Sequence, residues 1–201
     1  SELKDTAGNL YWPNLYAMAN NSDSDAFLSD LDLDSTGQPL RSSIVVGEII
    51  KKIGFTIFNI DIFDSLIRDL ENYGYSSSTL FAFPYDFRLN LDTIKSSLNQ
   101  KITDIKSQTG ASKVDIVAHS MGGLLTKDYI NQYGTSSIDH LIFVGTPHLG
   151  APKAAKILIA GDKFGIPWLE PLRMKEIGLG SPATYELMPS PTYINNFGGY
   201  L

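Results

Sequence analysis

One serine with small neighbours is the residue of this sequence best suited to do chemistry. Residues 114–125 read VDIVAHSMGGLL, an apolar run that leads into Ser120 and a helical pattern that leads out of it. This pattern is typical of a nucleophile elbow, a sharp strand-to-helix turn that raises a serine hydroxyl above a sheet. Ala118 and Gly122 stand two positions before and after the serine, where we expect larger side chains to strike a neighbouring strand or helix. We therefore predict Ser120 as a nucleophile and the backbone N–H of Met121 as an oxyanion donor at the positive end of the helix.

The elements that must position this serine follow from hydrophobic periodicity and from glycine and proline stops. The pattern predicts strands over residues 43–50, 55–60, 79–83, 113–118 and 138–144, and helices over residues 62–73, 91–109, 122–133 and 151–160. Asp61 is the predicted N-cap of the first of these helices. Because strands alternate with helices, we predict an α/β fold with a mostly parallel sheet and helices on both faces.

The chain divides into three parts of one domain, which we expect to be partial. Residues 1–60 form an irregular N-terminal part with short strands, and residues 61–150 form a core that contains the serine turn. Residues 151–191 hold many prolines among large apolar side chains, which predicts a helical lid or cap. Ordinary packing of a helical insertion is the alternative interpretation of that segment.

The composition excludes several classes of function. The net charge of −6, without a basic cluster, argues against a nucleic-acid partner. With no cysteine, the chain has neither a disulfide framework nor a thiolate metal site, and no motif predicts a cofactor. Asp30, Asp32 and Asp34 alternate as in a calcium loop, but Gly37 comes too late for the sixth position. We therefore predict a solvated acidic turn and no metal.

The three histidines do not complete a catalytic triad. In the hydrolase arrangement the acid and the histidine follow the serine in chain order. His119 adjoins the serine and points away from it, and His140 begins a buried strand at the far end from the catalytic loops. His148 follows the next strand and stays open as an alternative base. No histidine follows it, so we expect the acid, the histidine and the second oxyanion donor outside this chain.

Four stretches, in this order, resemble the lecithin:cholesterol acyltransferase family of the α/β-hydrolase superfamily. They are FPYDFR at 83–88, AHSMGGL at 118–124, GTPHLGAPK at 145–153 and LMPSP at 187–191. The resemblance implies an α/β-hydrolase core, with Ser120 as the nucleophile and Met121 as the oxyanion donor. It also implies that Asp86 and Arg88 brace a loop through an acid–guanidinium contact. Phe87 stands where a common form of this motif has tryptophan.

These features lead to one main functional hypothesis and two alternatives. The main one is a serine-dependent lipase, esterase or O-acyltransferase that acts on lipid esters through an acyl-enzyme on Ser120. One alternative is a non-catalytic α/β-hydrolase-like module that binds lipid or a partner, and the other is a complete enzyme that uses His148 as its base. The expected partners are a lipid ester, a membrane or lipoprotein surface, and the remainder of the domain or another copy of the chain. The resemblance favours a secreted or extracytoplasmic location. We also expect an exposed apolar surface where further strands would pair.

Overall fold

The computed structural model describes residues 1–20, 25–55 and 58–197 and has a mixed helix and strand architecture. Its strands are β1 (Leu3–Asp5), β2 (Leu10–Trp12), β3 (Ile44–Val46), β4 (Lys52–Phe55), β5 (Phe58–Asp61), β6 (Val114–His119) and β7 (Ile138–Val144). Its α-helices are α1 (Leu15–Asn20), α2 (Asp64–Asn72), α3 (Leu91–Thr109), α4 (Met121–Tyr133), α5 (Pro152–Ala160), α6 (Pro171–Gly180), α7 (Pro182–Glu186) and α8 (Pro191–Phe197), and a 3₁₀ helix spans Ala26–Leu31. The predicted α/β class is confirmed.

The serine turn lies in a layer made of two parallel strands and two helices. β6 and β7 pair in parallel, with Val114 opposite Ile138 and His119 opposite Val144. The apolar face of α3 and the inner face of α4 meet in one buried cluster, which includes Ile94, Leu98, Ile102, Leu125 and Tyr129. The predicted helices and strands between residues 91 and 160 are confirmed to within a residue or two.

The predicted mostly parallel sheet is wrong. Among the described residues only β6 and β7 run parallel, whereas the other two sheets are antiparallel, with strand orders β2-β1-β3 and β4-β5. Apolar side chains of β7 stay exposed, with Ile142 54%, Phe143 40% and Val144 44% accessible. Part of β7 is therefore an exposed apolar surface, whereas the pairing of further strands there stays a prediction.

The N-terminal part has its own apolar core. The side chains of Leu3 in β1 and Ile44 in β3 are buried together with those of Leu28 and Leu31 in the 3₁₀ helix. The same cluster also contains Leu169, from the loop before α6, and Met174 and Ile177 of α6. The segment that follows α5 therefore packs against the beginning of the chain.

Three predictions for residues 43–73 need correction. Within the predicted strand 43–50, residues 44–46 form β3. The predicted strand 55–60 is divided between the end of β4 and the antiparallel β5, and residues 56–57 lie outside the described residues. The first long helix begins at Asp64, because Asp61 is paired in β5 opposite Lys52. The Asp61 carboxylate still accepts a hydrogen bond from the Ser65 N–H at 3.1 Å.

The predicted buried strand over residues 79–83 is also wrong. In the described part of the chain no strand pairs with this segment, which follows a turn at residues 77–79. Its apolar character instead reflects helix packing, since Phe83 packs against the cluster between α3 and α4. The Phe81 ring lies under the ammonium of Lys101 on α3, 5.7 Å from the ring centroid.

The proline-rich segment that ends the chain is helical, and its prolines explain where the helices start. α5, α6, α7 and α8 each begin with a proline, at residues 152, 171, 182 and 191. Proline suits the first helical position because its fixed φ matches the helix and its missing N–H would have no partner there. The lid role of this segment stays a prediction. None of the helices in the described residues is both long and apolar enough to span a membrane.

Candidate active site

Ser120 occupies a strained turn between β6 and α4. Its backbone angles are φ 52° and ψ −126°, which place a non-glycine residue at positive φ. Such angles cost energy and persist only where surrounding structure enforces them. Here the Ser120 N–H donates to the carbonyl of Val144, the last residue of β7, at 2.9 Å. The parallel strand pair therefore holds the serine at the carboxyl end of the sheet.

The backbone N–H of Met121 is available to an anionic oxygen. Met121 is the first residue of α4, a helix of 13 residues, and its N–H makes no hydrogen bond within the described residues. The carbonyl of Ser120 is already committed, because it accepts from the Gly123 N–H at 3.0 Å. The N-terminus of a helix carries a partial positive charge, so this N–H could stabilise the oxyanion of a tetrahedral intermediate.

The glycine that the packing requires is Gly123, not Gly122. A Cβ on Gly122 would meet only the hydroxyl of Tyr85, at 3.7 Å, which is an ordinary contact. A Cβ on Gly123 would lie 1.9 Å from Oγ1 of Thr146, in the loop after β7. The sequence pattern placed the steric requirement two residues after the serine, whereas the structure places it three residues after. The sequence has glycine at both positions, and this pair could have indicated the requirement at Gly123.

Tyr85 is a neighbour of the turn that sequence reasoning missed. Its hydroxyl is the atom closest to the space beside Gly122. Burial raises the pKa of Tyr85 to about 12, so the phenol is neutral and can donate a hydrogen bond at physiological pH. The loop that carries it precedes α3, which explains why no local motif around the serine indicated it.

No histidine is hydrogen-bonded to Ser120 within the described residues, and each has another neighbour. The His119 ring lies edge-on to Phe63, with centroids 5.4 Å apart, and the His148 ring lies edge-on to Phe143, at 4.9 Å. The roles of Ser120 and Met121 stay predictions, because activation of the serine needs a base.

The third histidine lies at the opposite end of β6 and β7 from the serine. His140 Nδ1 lies 2.8 Å from an oxygen of Asp115, and Asp139 lies 3.5 Å away. The hydrogen bond to Asp115, together with both carboxylate charges, raises the pKa of His140 above its usual value. These three exposed side chains could also supply ligand atoms within 4.8 Å of one another. However, Lys113 lies 3.4 Å from Asp139, and the group is too far along the strands to act on Ser120.

The alternating aspartates of the N-terminal part do not share a site. Asp30 forms an ion pair with Arg41, and Asp32 forms one with Arg173. Asp34 instead closes a turn, where its carboxylate accepts from the N–H of Thr36 at 2.8 Å. The three carboxylates therefore serve separate structural contacts in place of a calcium loop.

Asp86 and Arg88 form the brace that the resemblance implied. The buried Arg88 guanidinium donates from Nε to Oδ1 of Asp86 at 2.9 Å and from Nη2 to Oδ2 at 2.6 Å. Its Nη1 donates to the carbonyl of Leu31 at 2.6 Å. The Arg88 carbonyl accepts from the N–H of Ala183 in α7 at 3.4 Å. One arginine therefore ties the loop before α3 to both the 3₁₀ helix and α7.

A strained serine between a strand and a helix in a mixed α/β fold is typical of the α/β-hydrolase class. Comparison with known proteins then gives the family. A family model described as lecithin:cholesterol acyltransferase matches residues 52–197, well over half of the chain. The chain belongs to the lecithin:cholesterol acyltransferase family.

Three relatives illustrate the likeness. Lecithin-cholesterol acyltransferase-like 4 of Arabidopsis thaliana is 28% identical over 144 residues, which cover 65% of this chain and 27% of that protein. Phospholipase A(1) LCAT3 of the same plant is 28% identical over 146 residues, covering 65% and 32%. Phosphatidylcholine-sterol acyltransferase of Mus musculus is 30% identical over 135 residues, covering 63% and 31%. The chain thus spans about a third or less of the length of these relatives.

Proposed function

We propose that this chain supplies the nucleophile of a serine-dependent lipase or O-acyltransferase that acts on lipid esters. The observation that carries the proposal is the strained Ser120 turn, with φ 52° and ψ −126°, directly before Met121, whose N–H makes no hydrogen bond in the described part of the chain. A serine is held at such angles only where the structure enforces them. The relatives support an ester-cleaving reaction, since their names include both a phospholipase and acyltransferases.

The proposed reaction has two steps on one hydroxyl. Ser120 Oγ attacks the ester carbonyl carbon as a base removes its proton, and the carbonyl oxygen becomes an oxyanion that accepts from the Met121 N–H. The carbon–oxygen bond then breaks, the alcohol leaves with the proton returned by the base, and an acyl-enzyme remains. Water or a second alcohol then attacks that acyl group as the base takes its proton. The bond between the acyl carbon and Ser120 Oγ breaks, Oγ regains the proton from the base, and an acid or a new ester leaves. Hydrolysis and transfer therefore differ only in the acceptor.

Removing a proton from the serine is the step for which the described residues offer no hydrogen-bonded base. In line with the sequence analysis, we propose that the acid, the histidine and the second oxyanion donor belong to the rest of the protein. This arrangement also motivates the second candidate function, a lipid- or partner-binding module that keeps the turn without catalysis. The observation that favours the second candidate is that the His119 and His148 rings both pack against phenylalanines.

A fluorophosphonate probe separates these functions, because it labels only an activated serine. Labelling of a longer protein that contains this chain should depend on Ser120 and vanish in Ser120→Ala. The matched control is Ser96→Ala, an exposed serine of α3, which should leave labelling unchanged. If the longer protein shows no Ser120-dependent labelling, the catalytic proposal is wrong and the binding module is favoured.

The 201-residue chain gives a second, independent outcome with the same probe. We expect it to remain unlabelled, because no base of the described residues contacts Ser120. Labelling of this chain would overturn the assignment of the base to the rest of the protein. A His148→Ala variant would then test whether His148, whose ring now packs on Phe143, supplies the base.

A further inference from the structure

The parallel strands β6 and β7 contain a β-bulge near their amino-terminal ends. β7 advances three residues, from Ile138 to Leu141, where β6 advances two, so one β6 residue, Asp115, stands opposite both Asp139 and His140. In a regular strand two consecutive side chains point to opposite faces of the sheet. A bulge breaks this alternation and re-aims a side chain. The bulge therefore allows Asp139 and His140, which are consecutive, to approach the same carboxylate of β6.

The three side chains at the bulge have the separations that a small divalent cation requires of its ligands. His140 Nδ1 lies 2.8 Å from Oδ1 of Asp115 and 3.5 Å from Oδ2 of Asp139. One ligand atom from each residue lies within 4.8 Å of the other two. Ligands bound to Zn²⁺ at about 2.0–2.1 Å stand about 2.9–3.4 Å apart in octahedral or tetrahedral coordination. The two distances from Nδ1 bracket that range, so small rotations of exposed side chains suffice to hold the ion.

Two further contacts orient the carboxylates and leave an oxygen of each for a cation. Oδ1 of Asp115 also accepts from the backbone N–H of His140 at 3.0 Å, which fixes this carboxylate against the bulge. Lys113 Nζ lies 3.4 Å from Oδ1 of Asp139, whereas the other oxygen, Oδ2, is the one that lies towards His140. Partners of this kind orient the ligands of metal sites. The Lys113 side chain is half exposed, so its ammonium can turn into water when a cation binds.

We propose that Asp115, Asp139 and His140 bind a Zn²⁺ ion that links β6 to β7. The imidazole nitrogen favours a transition metal over Ca²⁺ or Mg²⁺, which prefer oxygen ligands alone. The two carboxylates balance the charge of the ion. The ion takes the place of the hydrogen between Nδ1 and Asp115, the displaced proton goes to solvent, and water completes the coordination.

This metal site is separate from the proposed ester chemistry. It lies at the opposite end of β6 and β7 from Ser120, so its ion stabilises the strand pair and takes no part in acyl transfer. A metal was not predicted from the sequence, because Asp115 and His140 are 25 residues apart and come together only through strand pairing. Ser120→Ala should bind Zn²⁺ as the unchanged chain does, so the two proposals can fail independently.

The test is calorimetric titration of the 201-residue chain, without a histidine tag, with ZnCl₂. We expect one saturable site, and Ca²⁺ should bind at least about tenfold more weakly because it gains little from the imidazole. In an NMR titration Zn²⁺ should shift the ring resonances of His140 and leave those of His119 and His148 in place. Zn²⁺ should also raise the midpoint of thermal unfolding, because the site exists only in the folded chain.

Matched variants decide where the ion binds. His140→Ala and Asp115→Asn should each weaken Zn²⁺ binding at least about tenfold, since each removes a ligand or its charge. The matched controls are His148→Ala and Asp69→Asn, at an exposed aspartate of α2, and both should bind Zn²⁺ unchanged. The rise in thermal midpoint should disappear in His140→Ala and persist in His148→Ala. Circular dichroism confirms that each variant is folded.

Three results would overturn the proposal. They are the absence of a saturable Zn²⁺ site, equal losses of binding in His140→Ala and His148→Ala, and binding of Ca²⁺ as tight as that of Zn²⁺. The second would show that Zn²⁺ binds histidines of the chain without regard to the bulge. The third would show that the carboxylates attract any divalent cation and that the imidazole is not a ligand.

Discussion

Replacing Ser120 by glycine should make the protein more stable as it removes the proposed nucleophile. The serine has φ 52° and ψ −126°, angles that glycine adopts without a Cβ penalty. Ser120→Ala provides the reference, because alanine keeps the Cβ and loses only the hydroxyl. The difference between the two variants therefore isolates the backbone strain at this position.

The magnitude follows from two opposing terms. A non-glycine residue in a sparsely populated backbone region costs about 1–3 kcal/mol, which glycine recovers. Glycine also raises the conformational entropy of the unfolded chain, which costs about 0.5–1 kcal/mol relative to alanine. We expect the free energy of unfolding of Ser120→Gly to exceed that of Ser120→Ala by about 1 kcal/mol. For a chain of this size, that corresponds to a midpoint about 2–4 °C higher.

Thermal unfolding followed by circular dichroism measures this difference, with urea unfolding as a check. The matched control is the pair Ser96→Gly and Ser96→Ala, on an exposed position of α3. There glycine should be less stable than alanine by about 1 kcal/mol, as in any helix interior. The reasoning is refuted if glycine is less stable than alanine at position 120, as we expect it to be at position 96.

Three further predictions concern contacts around the turn and beyond it. Gly123→Ala should destabilise the protein by about 1–3 kcal/mol, because its Cβ would overlap the loop after β7. Gly122→Ala should instead stabilise it by up to about 1 kcal/mol. Urea unfolding of both variants measures the difference. Asp86→Ala should cost about 3–5 kcal/mol in the same assay, because it leaves a buried guanidinium without its carboxylate, and a loss below 1 kcal/mol would contradict this. Because the pKa of His140 is raised in the folded state, its pairing with Asp115 stabilises the fold at low pH, and this contribution is lost as pH rises through the folded-state pKa. In Asp115→Asn, an NMR titration should show the pKa of His140 closer to its usual value.

The sequence predicts those elements best whose contacts are close along the chain. α3 has apolar residues at helical spacing, an Asn90 cap that accepts from the Asp92 N–H, and Gly110 at its end in the left-handed conformation. β6, α4 and β7 follow one another directly, so each is placed by its neighbour. The brace between Asp86 and Arg88 joins residues two positions apart. Local patterns were sufficient for the helices and strands, whereas the family resemblance implied the brace.

Elements that depend on distant partners could not be predicted in this way. β1 has three residues and pairs with β3 some 40 residues later, so no local periodicity marks it. Residues 79–83 have the composition of a buried strand, but a strand also needs a partner, and their apolar side chains pack on a helix instead. The contact between Gly123 and Thr146 is of the same kind, because it joins α4 to a loop beyond β7.

The same distinction separates the two halves of the proposed catalytic site. Three contacts of the described residues that support the Ser120 turn lie within 30 residues of it: the β6–β7 pair, the hydrogen bond to the Val144 carbonyl, and the close packing at Gly123. A base and its acid come from separate loops in this class of enzyme, so they depend on the arrangement of the whole sheet. The proposed function therefore assigns the serine turn to this chain and the activation of the serine to residues elsewhere in the protein. Consequently, stability measurements on Ser120 variants of the 201-residue chain measure the strain in the turn, whereas probe labelling of the longer protein measures whether a base activates the serine.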